Sequence, residues 1–99
     1  MRFETNDIVI EVGLVDGGAS CLLIYPNPIK RNVRAVWQGA PADCKQAGRG
    51  LRIDFTDAAP KLELQQLAGQ ASPADDKAVF LFLEAQAAYL AGNIKLEAI

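Results

Sequence analysis

The sequence predicts an α+β fold: an antiparallel β-sheet of about four to six strands packed by one long helix in the C-terminal half. Three observations predict it. Between residues 7 and 56, short runs alternate apolar and polar side chains with the period of a strand. Turn formers separate these runs: Asp-Gly-Gly at 16–18, Pro26 and Pro28, and glycines at 39, 48 and 50. Residues 72–93 instead carry helical spacing between a Ser-Pro start and a Gly-Asn stop.

The first strand is "DIVIEVGLV" (7–15), with Ile8, Ile10, Val12 and Leu14 on one face and Val9, Glu11 and Val15 on the other. The glycines of "DGG" supply the positive φ angles of a tight hairpin. "ASCLLIY" (19–25) returns, apolar enough to be covered on both faces, and Pro26 and Pro28 end it because neither donates to a ladder. "RNVRAVWQ" (31–38) sets Val33, Ala35 and Trp37 against Arg34, Val36 and Gln38. Residues 39–50 read as a long loop. "LRIDFT" (51–56) then places Leu51, Ile53 and Phe55 inward. Taken in order these make a four-stranded meander. Residues 57–70 suit either a short helix ending at Gly69 or a strand alternating Leu62 and Leu64 with charged neighbours. "IKLEAI" (94–99) alternates once more and joins the sheet as a last strand.

The main helix is punctuated at both ends. Ser72 caps it, Pro73 takes the first helical position, and Asp75 and Asp76 meet the positive end of the dipole. Gly92 is the left-handed residue that stops it. At 100° per residue, Val79, Leu83 and Leu90, flanked by Phe80 and Ala87, form one apolar row that is assigned to the sheet. Ala78, Phe82, Ala85 and Tyr89 form a second row, and one sheet does not need both. Either residues 57–71 cover that second row or a second copy of the chain does. The homodimer is the expectation, with Ala78, Phe82, Ala85 and Tyr89 as its interface.

Composition excludes more function than it suggests. With 99 residues, 51% apolar and 22% charged, the chain is a single globular domain. The longest apolar run, 78–83, is far too short for a membrane span, and Arg2, Glu4, Asp7 and Glu11 interrupt any apolar leader. The expected compartment is the cytoplasm. No histidine is present, which removes the usual general base near neutral pH and every Ser-His or Cys-His nucleophile. Cys21 and Cys44 match no zinc spacing, and neither a metal nor a cofactor is expected. Cys21 reads as a small buried hydrophobe. Cys44, in a loop beside Lys45, reads as the more reactive thiol. Asp54 and Asp57 stand close enough in sequence for a paired-acid site, but Arg52 shares a strand face with Asp54 and an ion pair explains both. An enzyme is therefore disfavoured.

Residues 30–52 carry Lys30, Arg31, Arg34, Lys45, Arg49 and Arg52 against Asp43 alone, a net +5, while the remainder is −7. Arg34, Lys45, Arg49 and Arg52 are the candidate anion site, with the glycines of "AGRGLR" (47–52) as a backbone nest. No dinucleotide or phosphate-loop spacing accompanies them. Nucleic acid is disfavoured, because Trp37 alternates away from Arg34 and the acidic remainder repels a polyanion. The leading expectation is a non-catalytic binding module for a small ligand or a partner protein. Tyr25, Trp37 and Phe55 are the candidate ligand lining; a protein–protein inhibitor or antitoxin-like protein is one alternative, and a small enzyme using Asp, Tyr or Lys chemistry without histidine is the other.

Overall fold

The computed structural model describes residues 1–16, 18–55 and 73–99. Among them the elements run β1 (Arg2–Glu4), β2 (Ile8–Val15), β3 (Gly18–Pro26), β4 (Val33–Trp37), β5 (Cys44–Ala47), β6 (Gly50–Asp54), α1 (Pro73–Leu90) and β7 (Ile94–Ala98). A five-stranded antiparallel sheet has the order β1-β2-β3-β6-β5, and β4 and β7 make a separate antiparallel pair. The class is α+β, as the alternation and the single helical segment predict.

The β2–β3 hairpin sets the core. Its register runs from Ile8 opposite Pro26 to Val15 opposite Gly18, with Asp16 in the left-handed region at the turn (φ 53°). Asp tolerates that conformation because its short polar side chain bonds locally. Alternation sends Ile8, Ile10, Leu22, Ile24, Leu51 and Ile53 to one face, where they bury against Ala78, Leu81, Phe82 and Ala85 of α1. The register passes over Ser20 between Gly13 and Leu14, a bulge on β3 that sets Leu14 opposite Ala19, and Leu14 is left exposed near the hairpin end.

The meander is corrected at β4. β3 pairs with β6, not with β4. Pro28 offers no N–H, the Lys30 N–H turns back on the Asn27 carbonyl (2.8 Å), and Asn32 is left-handed (φ 58°), so the chain leaves the sheet before β4 begins. β4 then takes β7 as its partner, closed by Gln38 N–H to Asn93 O (2.8 Å) and Ile99 N–H to Asn32 O (2.9 Å). The predicted loop 39–50 contains β5, a short edge strand that doubles back on β6 through Gly48 (φ 60°). The alternatives for residues 57–70, and the Ser72 cap, lie outside the described residues.

α1 ends as its sequence predicts. The Gly92 N–H reaches the Tyr89 carbonyl (3.0 Å) and the Asn93 N–H the Ala88 carbonyl (2.8 Å), with Gly92 at φ 83°. Three contacts fix its rotation about its own axis. Asp75 Oδ1 accepts from the Ala19 N–H (3.1 Å), the Tyr89 and Thr5 hydroxyls share a hydrogen bond (3.2 Å), and the Tyr89 ring meets Phe3 edge-on at 5.9 Å.

Candidate functional site

That rotation reverses the two apolar rows. Ala78, Phe82 and Ala85, the expected dimer interface, are buried in the chain's own core with Leu81, and half-buried Tyr89 continues the row. The spacing 78-81-82-85 is the i, i+3, i+4, i+7 stripe of a helix on a sheet. The physical reason is size: alanines at 78 and 85 let the helix backbone approach the strands, while Phe82 fills the space between them. The row assigned to the sheet is the one left in water. Val79 is 43% exposed, Phe80 66%, Leu83 58% and Leu90 70%, with exposed Ala87 between them. Asp76 and Glu84 are exposed on the same helix. Lys77, by contrast, bonds Asp43 (3.3 Å) and lies over the Phe55 ring (5.8 Å).

The candidate ligand lining is divided between two faces of the fold. Trp37 and Phe55 are packed in the core. Tyr25 follows Ile24 on β3 and so points from the opposite face, where its hydroxyl donates to Glu11 (2.7 Å). Glu11 also takes Arg2 in an ion pair, and burial, then this carboxylate, pushes the Tyr25 phenol upward.

The candidate anion site is likewise spread over the molecule. Arg34 sits on β4 and pairs with Glu97 (3.4 Å). Arg52 pairs with Asp54 (2.7 Å), the ion pair that alternation predicts. The Arg49 guanidinium donates to the Lys30 carbonyl (2.8 Å). Lys45 stands across the β5–β6 ladder from Arg52, and the Ala35 N–H bonds the Arg49 carbonyl (2.8 Å), which brings the Arg34 and Arg49 backbones together while their guanidinium groups engage Glu97 and the Lys30 carbonyl. Cys21 is buried, while Cys44 is half-buried on β5 and not in a loop. Burial, then the charge of Asp43, raises the Cys44 thiol, opposite to the effect expected of Lys45. Among the described residues, no group of three metal-ligating side chains comes together, and no helix is long and apolar enough to cross a membrane.

A second feature lies at the edge of the small sheet. The bonds that close β4–β7 make Asn32–Ile99 and Gln38–Asn93 hydrogen-bonded pairs, so Arg34–Glu97 and Val36–Lys95 are too. The N–H and C=O of Ile94, Leu96 and Ala98 therefore point away from β4. No other strand among the described residues meets them. Beside this edge is a cleft of about 410 Å³ lined by Asp7, Tyr89, Ile94, Lys95 and Leu96. No family model, curated protein or solved structure matches this chain.

Proposed function

We propose that this chain is a non-catalytic binding module that holds a partner protein on the outer face of α1, in a reducing, cytoplasmic setting. The observation that carries the reading is the row Val79, Phe80, Leu83 and Leu90, contiguous along one helix and exposed to between 43% and 70%. A patch of large apolar side chains in water marks an interaction surface more often than it marks nothing. Covering it removes the remaining apolar surface from water at roughly 25 cal/mol per Å², and Leu83, Ala87 and Leu90 keep the i, i+4, i+7 spacing that a helix presents to an apolar groove. Two free thiols are consistent with the compartment. The small-ligand reading has less support, because Tyr25, Trp37 and Phe55 belong to an outer face and a core.

The test uses Phe80→Glu and Leu83→Glu in affinity purification from the native cells. A partner is expected that wild type retains and both variants lose, with circular dichroism unchanged. Variants that unfold would show the row to be covered by the chain itself. Variants that retain every protein wild type retains would remove the reading.

A further inference from the structure

We infer that β7 pairs antiparallel with β7 of a second copy of this chain, joining two β4–β7 ribbons into one four-stranded sheet across a two-fold axis at Leu96. The β7 edge is separate from the outer face of α1.

Three independent requirements meet in one register. The strand Ile94–Ala98 overlaps itself fully only when Leu96 lies opposite Leu96 of the partner. That register sets Ile94 opposite Ala98 and Ala98 opposite Ile94, and these are the residues whose N–H and C=O groups face outward. A shift of one residue would bring groups already bonded to β4 against the partner's free ones and satisfy neither. The same register places Lys95 opposite Glu97 of the partner, and Glu97 opposite its Lys95. Two opposite-charge cross-strand pairs result from one symmetry operation.

The charges settle which occupant the edge suits. A lone lysine on an edge strand is a common device against self-pairing, since two copies repel. Here Glu97 follows Lys95 on the same face, so a copy of the strand meets attraction. Both side chains are exposed on the face away from the core. Arg34 engages Oε2 of Glu97, which leaves Oε1 for the partner's lysine. On the inner face, exposed Ala98 would come beside buried Ile94, and half-buried Leu96 beside its own copy. The open cleft along Ile94, Lys95 and Leu96 is space in which the incoming strand can lie.

Charge reversal with mixing tests this. Lys95→Glu sets carboxylates opposite each other, Glu97→Lys sets ammonium groups opposite each other, and the two variants mixed restore both attractive pairs. By sedimentation velocity wild type is expected to dimerise at about 100 µM. Each variant alone should dissociate with a constant raised at least about tenfold. The equimolar mixture, one chain isotopically labelled, should show a heterodimer by native mass spectrometry at near wild-type affinity. A monomeric wild type, variants that self-associate as wild type does, or a mixture no tighter than either variant would overturn the inference. Phe80→Glu should leave this dimer intact. Loss of the dimer in Phe80→Glu with retention in Lys95→Glu would place self-association on the helix instead, and also overturn it.

Discussion

The Cys44 thiol is shifted in the opposite sense from what its neighbour Lys45 suggests. The Cys44 side chain shares a sheet face with Ile53, its partner across the β5–β6 ladder, and packs partly against the core. Loss of water around the sulfur raises the thiol, and Asp43 adds to the effect. Nucleophilic attack needs the thiolate, so a raised thiol reacts slowly. Cys21 is buried on β3, with the Ser20 hydroxyl 3.7 Å from its sulfur. Alkylation at pH 7.5 should label Cys44 several-fold more slowly than an unstructured thiol and Cys21 not at all before unfolding, as read by mass spectrometry over time. Rapid labelling of Cys21 in the native chain would contradict the packing of β3. The sign also fixes a stability trend. A thiol raised in the folded state keeps a proton that the unfolded chain releases, so its contribution is whole below the ordinary thiol value and fades as pH climbs through the raised one.

At the scale of the element, α1 separates two phenylalanines two residues apart. Phe82 is buried among strand residues and Phe80 is mostly exposed. Phe82→Ala should cost about 3–5 kcal/mol in urea denaturation, whereas Phe80→Ala should stay within about 0.5 kcal/mol. Equal effects would mean that the helix is rotated from the orientation Asp75 and Tyr89 impose. This is where the sequence was least legible. Both ends of the helix were readable from Pro73, the two aspartates and Gly92, because caps are local chemistry. Its rotation was not, because leucines, valine and phenylalanines are distributed almost evenly round the axis. The deciding signal was weaker than hydrophobicity: Ala78 and Ala85 are small enough for close approach to a sheet, and Leu81 lies between them on the same side. Strand identity was likewise legible and strand partnership was not. Alternation in 33–37 and 94–98 marks two strands with one buried face each, but nothing local says that they pair with each other. β1 and β5, at three and four residues, are too short for a period to declare itself.

Over the whole molecule, the basic middle segment loses its concentration when the chain folds. Six cations between residues 30 and 52 look like a polyanion site in one dimension. In three dimensions Arg34 lies on the small sheet while Lys45 and Arg52 lie on the large one. Three of the six also meet a carboxylate: Lys30 with Asp7 (3.2 Å), Arg34 with Glu97 (3.4 Å) and Arg52 with Asp54 (2.7 Å). These distances are well inside a Debye length of about 8 Å at physiological salt, so from outside each pair looks close to neutral. The pairs are also exposed, and exposed pairs contribute only about 0–1 kcal/mol to folding. Their main effect is on the field, which stays acidic overall at a net charge of −2. On a heparin column at pH 7 the chain should therefore elute below about 200 mM salt, with a shallow dependence on salt, because few counterions are released. Neutralising Arg49 and Arg52 together should leave that elution point where it is. Retention beyond it, with a steep salt dependence that the double substitution flattens, would show that the four cations converge after all and would restore the anion site.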